Sequence, residues 1–242
     1  MVKVSNPKDL FPTIIEDYRN IFSDGLQSII LYGSAAGIDY QPGGSDINFL
    51  IILSEDAIGA IEAALKTVAR WRKKKVATPL FMTKQYILSS LDSYPLEFLT
   101  MKHEHVLVFG EDVLEPLVFD AGDLRLQCER DIKGKLVLLR RGFLETEGRD
   151  RHIRELIAAS LTAFISIFKG LLYLKEQDIP PSRREVIGAV ADTFALDRTT
   201  FLRCLQIKEG TGRFSPQEVR SLLKSYLAEI KKLWEAVDRM EL

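Results

Sequence analysis

Two short clusters in this chain carry the residue types that chemistry needs. Gly33-Ser34 closes one apolar run, and Ser45-Asp46-Ile47-Asn48 opens the next. Glycine lets backbone N–H groups come close to a phosphate, and a short helix beginning at such a turn presents its positive end to the anion. The Ser34 hydroxyl adds a donor. Asp46 and Asn48 are two apart on an expected strand, so their side chains share one face. Two oxygen-bearing groups on one face, beside a phosphate cradle, are what a magnesium–nucleotide site requires.

The elements that must position these residues follow from periodicity. Asn6-Pro7 reads as an N-cap followed by a first-turn proline. Leu10, Phe11, Ile14, Ile15, Tyr18 and Ile21-Phe22 then recur at helical spacing, which predicts an amphipathic helix over 7–22. Residues 26–32 read as a buried strand broken by Gly33-Ser34, Gln41 to Gly44 as a loop, and 47–53 as a second buried strand. Ile58, Ile61, Leu65, Val68 and Trp71 predict a helix over 57–75. The cations from Arg70 to Lys75 suit its C-terminal dipole better than a nucleic-acid patch. Three more strands are expected over 77–82, 96–101 and 106–109. After Gly122 the strands stop, and helices are expected over 123–147, 150–176, 183–194, 198–208 and 216–240. Ser215-Pro216-Gln217-Glu218 has the form of a capping box. The expected fold class is α+β: a mixed sheet with flanking helices over 1–122, then an all-α helical bundle over 123–242.

Bulk properties narrow the classes of function. With 46% hydrophobic and 28% charged residues, the 242-residue chain has the composition of a soluble globular protein. No apolar run reads as long enough to span a bilayer, and the N-terminus lacks the apolar segment of a signal peptide, so no membrane partner and a cytoplasmic location are expected. Cys128 and Cys204 follow no metal-ligand spacing and read as free thiols. A net charge of −1 argues against general nucleic-acid binding. That average conceals an acidic first half (11 Lys+Arg against 16 Asp+Glu in 1–122) and a basic second half (22 against 18 in 123–242). Such halves could hold a metal–polyphosphate between them, or simply be solvated faces of unrelated sign. Serine-hydrolase, Walker and dinucleotide motifs are absent from the sequence. His103 and His105 flank Glu104 with no third ligand nearby, and read as a strand connection rather than a metal site.

The stretch from Leu31 to Leu53 resembles the polymerase-β-like nucleotidyltransferase superfamily, which includes aminoglycoside-modifying enzymes and the minimal nucleotidyltransferases paired with helical HEPN-type proteins. Its signature is Gly-Ser, a small-residue turn, then Ser-Asp-x-Asp or Ser-Asp-x-Glu leading into an apolar strand. Gly33, Ser34, Gly37, Ser45, Asp46 and the strand through Leu53 match, as does the element order over roughly residues 7–112. The resemblance implies transfer of a nucleoside monophosphate from ATP or another NTP, with Mg2+, to a hydroxyl of an acceptor. It implies Gly33, Ser34, Gly37 and Ser45 at the nucleotide and Asp46 and Asn48 at the metal. HEPN ribonucleases carry Arg, four to six intervening residues, then His; no arginine here precedes a histidine at that spacing, which argues against a ribonuclease.

The sequence departs from the family pattern at the centre of the motif. Asn48 stands where a second carboxylate is usual, and an amide carbonyl can ligate magnesium but brings no charge. Residues 78–83 carry no third carboxylate. Glu97, interrupting the expected strand 96–101, is the candidate for that role, with an ion-paired edge-strand Glu as the alternative reading. Three readings therefore stay open: a metal-dependent nucleotidyltransferase, a catalytically impaired relative that binds a nucleotide or a partner, and half of a toxin–antitoxin-like pair with the bundle as its interaction surface.

Overall fold

The computed structural model describes residues 4–241, and its contacts divide the chain into two compact units, Met1–Phe119 and Asp120–Leu242. The first is built on a four-stranded mixed sheet. β1 (Leu26–Tyr32) pairs antiparallel with β2 (Asn48–Leu53) and with β4 (His105–Gly110), while β3 (Leu80–Met82) runs parallel to β2, giving the order β3-β2-β1-β4. The register sets Leu26 against Leu53 at one end of the central hairpin and Tyr32 against Asn48 at the other.

The apolar runs 29–31 of β1 and 49–53 of β2 are explained by burial on both faces. On one face, Ile29, Leu31, Phe49, Ile51 and Leu53 join a core with Ile14, Tyr18 and Phe22 of α1 (Phe11–Phe22) and with Trp71 of α2 (Leu65–Arg72). On the other, Ile30, Leu50 and Ile52 are also fully buried. Asn6 caps the chain ahead of α1 by accepting the Lys8 N–H, although the first turn, Pro7–Leu10, is 3-10 rather than α.

Four expectations are corrected here. Residues 96–101 form no strand. They lie in α4 (Pro95–His103), where Pro95 occupies the first turn and Leu96, Phe98 and Leu99 are buried on one side. A short apolar run fits either period, and the proline at the helix start decides it. The predicted single helix over 57–75 is instead a 3-10 segment, Ile58–Ala64, with a non-helical Ala60, followed by α2. Its entry is tight: a Cβ on Gly25 would lie 2.6 Å from that of Ala57. The third strand is shorter than predicted, and α3 (Lys84–Ser89), capped by the Thr83 hydroxyl, follows it directly.

The second unit is all-α: α5 (Ala121–Glu145), α6 (Asp150–Leu174), α7 (Arg183–Thr193), α8 (Arg198–Glu209) and α9 (Pro216–Asp238). The fourth correction concerns α6, which is long and apolar enough to cross a membrane by length and composition. It is the helix expected over 150–176, but Ser160, Thr162, Ser166 and Lys169 interrupt its apolar residues, so no unbroken apolar run marks it in the sequence. Here α6 contacts α5, α7, α8 and α9, and Ile157, Leu161, Phe164 and Phe168 are buried among them. Phe164, Phe168, Phe201 and Tyr226 meet edge-on or tilted at the centre of this unit. Ser182 with Glu185 and Ser215 with Glu218 form complete capping boxes at the starts of α7 and α9.

Candidate functional site

The register of β1 brings three segments to one end of the sheet. Tyr32 is flanked by Asn48 on one side and His105 on the other. Gly33, the next residue, has φ +74°, a left-handed conformation that costs a side-chain-bearing residue energy. The nearest group to a Cβ placed there is the Asn48 side-chain amide, at 3.7 Å. The Gly33 N–H donates to the carbonyl of Glu104 at 2.8 Å, which ties the turn to the α4–β4 junction.

Beyond Gly33 the chain makes a 3-10 turn of three residues, Gly33–Ala35, closed by the Ala36 N–H on the Gly33 carbonyl at 2.8 Å. The sequence implied a helix start with a positive end. A single 3-10 turn has no length over which peptide dipoles can add, so whatever this turn offers an anion comes from individual N–H groups and the half-buried Ser34. Burial pushes the Tyr32 phenol above its ordinary pKa, which keeps it a neutral donor at this end of the sheet.

Asp46 is exposed, Ile47 is fully buried and Asn48 is half-buried. This alternation puts Asp46 and Asn48 on the face opposite Ile47, as their spacing predicts. Ile47 itself forms a parallel bridge with Val76. Ser45 closes the preceding loop: its hydroxyl accepts the Gln41 N–H at 3.1 Å and its own N–H donates to the Gln41 carbonyl at 2.9 Å. Gly37 has no atom within 4 Å of where a Cβ would stand and no positive φ, so neither space nor backbone requires glycine there.

Glu97 is exposed in the first turn of α4 rather than on a strand. Sequence reasoning passed over Glu104, whose backbone lies against Gly33; its only signal was its position between two histidines ahead of an apolar strand. His105 does structural work. Its Nε2 contacts the Asp112 carboxylate at 2.8 Å and its Nδ1 the Lys102 carbonyl at 2.7 Å. Burial pushes the Asp112 carboxyl up, but the His105 hydrogen bond and the N–H groups of Glu115 and Leu114 outweigh it and hold the group below its ordinary value.

Among the described residues, no three His, Cys, Asp or Glu side chains converge as a metal cluster. The donor set of one carboxylate and one amide suits a single magnesium ion brought in with phosphates and waters. It does not suit a pair of metal ions held between several carboxylates. Two open grooves lie away from these residues. A groove of about 610 Å³, lined by Gln27, Leu53, Ser54, Glu55, Lys84 and Leu88, sits at the Leu26–Leu53 end of the hairpin, and a neighbouring one shares Glu55 with it.

No protein-family model and no curated protein sequence matches the chain. Among solved structures, the chain is similar to the spectinomycin adenyltransferase AAD(9) from Enterococcus faecialis, determined with ATP and spectinomycin. The TM-score is 0.57 at 13% identity, over 93% of this chain and 100% of that one. With the mixed sheet, the Gly33 turn and the helical second half, this likeness gives the chain the fold of a nucleotidyltransferase.

Proposed function

We propose that the chain binds a magnesium–nucleoside triphosphate at the Gly33–Asp46 end of the sheet and transfers the nucleoside monophosphate to a hydroxyl of a small acceptor. The observation that carries this reading is the left-handed Gly33 beside the Asn48 amide, at the same end of the sheet as the exposed Asp46. The similarity to an adenyltransferase studied with ATP and spectinomycin supports the nucleotide and the kind of acceptor.

In this reading the Gly33–Ala35 turn and Ser34 bind the phosphates, and Asp46, with the Asn48 carbonyl, would hold the magnesium. When bound, the metal would offset phosphate charge. The acceptor oxygen attacks the α-phosphorus, the bond to the β-phosphate oxygen breaks, and pyrophosphate leaves. The hydroxyl proton goes to a carboxylate, for which Glu97 and Glu104 are the candidates; Glu104 is favoured because its backbone adjoins Gly33. Calorimetric titration with each ribonucleoside triphosphate and magnesium tests the binding, and labelled-nucleotide transfer to spectinomycin and other polyols tests the chemistry. Asp46→Ala is expected to weaken triphosphate binding by about tenfold or more. If neither the unaltered chain nor the variant binds any triphosphate, the reading is wrong.

A second reading is a nucleotide-binding module without transfer activity. Asn48, and the lack of a carboxylate cluster around Asp46 among the described residues, favour it. Asn48→Asp separates the two. New transfer activity in the variant, with none in the unaltered chain, supports the second reading; robust transfer by the unaltered chain sinks it.

A further inference from the structure

The cationic run that ends α2 is only partly explained by the helix. Arg70 and Arg72 lie in its last turn, where cations are favoured. Arg70 is also held by Asp17, and the Lys74 ammonium lies 4.8 Å from the centre of the Trp71 ring. Lys75 lies beyond the helix. The Val76 N–H returns to the Trp71 carbonyl at 3.3 Å, and Lys75 before it has φ +67°. This is the helix stop in which glycine normally takes the left-handed position, because a side chain there is strained. The chain places an exposed lysine there instead.

Glu147, Glu176 and Ala195 share this left-handed conformation after other helices, so what sets Lys75 apart is its position. The Ile47 N–H donates to the Lys75 carbonyl at 3.4 Å and the Ala77 N–H to the Ile47 carbonyl at 2.9 Å, so the two segments run side by side. Ile47 and Val76 face the core, and the residues just before them, Asp46 and Lys75, are both exposed. Asp46, the candidate metal carboxylate, thus has a lysine for its lateral neighbour, and no ion pair joins them among the described residues. A site with a single carboxylate among its metal ligands holds less metal charge against a triphosphate than one with several. An ammonium on a flexible stem is a suitable point charge for phosphate.

We propose that Lys75 binds the phosphate chain of the nucleotide beside Asp46, supplying positive charge that a second metal ion would otherwise bring. This rests on the reading that this end of the sheet takes a nucleoside triphosphate. It makes Lys75 a binding residue as well as the residue that ends α2.

The test uses the full-length chain, its Lys75→Gly, Lys75→Gln and Lys75→Arg variants, the four ribonucleoside triphosphates and inorganic tripolyphosphate. Titrations are run with magnesium and with EDTA. The unaltered chain is expected to bind a triphosphate, and to retain measurable binding in EDTA. Lys75→Gly and Lys75→Gln are expected to weaken that binding by about tenfold or more, while Lys75→Arg keeps most of it. Lys75→Gly is at the same time expected to melt at a higher temperature than the unaltered chain, because the strain is relieved. A residue kept only to end the helix would not give opposite signs for stability and binding. If the unaltered chain binds a triphosphate and the glycine and glutamine variants bind it equally well, the assignment of Lys75 is overturned and nucleotide binding stands. If the unaltered chain binds none, both are overturned.

Discussion

Asn48 and Gly33 define the candidate site jointly: the amide lies beside the one residue of the turn whose backbone demands glycine. A methyl group at Gly33 would meet ordinary contacts, so Gly33→Ala is expected to cost only the left-handed penalty, about 1–2 kcal/mol in urea denaturation. Gly110 is different. Its φ is +83°, and a Cβ would fall 1.9 Å from the Gln27 carbonyl oxygen, a backbone atom of β1. Gly110→Ala is expected to destabilise by about 4 kcal/mol or more, or to prevent folding, as judged by circular dichroism and yield. The His105–Asp112 contact predicts a pH effect. The Asp112 carboxyl is held below its ordinary value in the folded chain, so the unfolded chain binds the proton first as pH falls. Its contribution is complete above the ordinary aspartate range and is lost as pH drops through the lowered value. Asp112→Asn should therefore flatten the loss of stability below about pH 4, measured by urea midpoints across the acid range.

At the scale of elements, what could be read in advance depended on whether a segment's period was long enough to be unambiguous. The helices of the second unit, with their capping boxes and proline and glycine stops, were legible, as was the central hairpin with its continuous apolar runs. The segment 96–101 was not, because Leu96, Phe98 and Leu99 fit either period until Pro95 is weighed as a helix start. The break within 57–75 was hidden because its entry is set by the close approach of Ala57 to Gly25, a contact between segments some thirty residues apart that no local period encodes. The site follows the same rule. Gly33, Ser34, Asp46 and Asn48 stand out because they punctuate apolar strands. Lys75 and Glu104 reach this end of the sheet through pairings with Ile47 and Gly33, which no local pattern encodes. The capping boxes make a direct prediction: Ser215→Ala removes the acceptor for the Glu218 N–H and should cost about 1 kcal/mol in denaturant unfolding.

Across the whole molecule, each unit has its own core, one built on the sheet and one on α6. Two such cores are expected to give two transitions in scanning calorimetry, each with its own midpoint, rather than one two-state peak. A triphosphate that binds at the Gly33–Asp46 end should raise the midpoint of the transition belonging to the sheet unit, in proportion to the logarithm of its concentration above the dissociation constant.

Trp71 has a further consequence. It is nearly fully buried, donates its indole N–H to Asp17 at 2.8 Å, lies beneath the Lys74 ammonium and accepts the N–H that ends the helix before Lys75. The chain has two tryptophans, and the other, Trp234, lies on α9 in the helical unit. The candidate site thus has a built-in optical reporter. An anion that draws the lysine run toward itself is expected to take the Lys74 cation off the Trp71 ring and so change its emission. Trp234→Phe would leave Trp71 as the only emitter, so occupancy could be followed without any label.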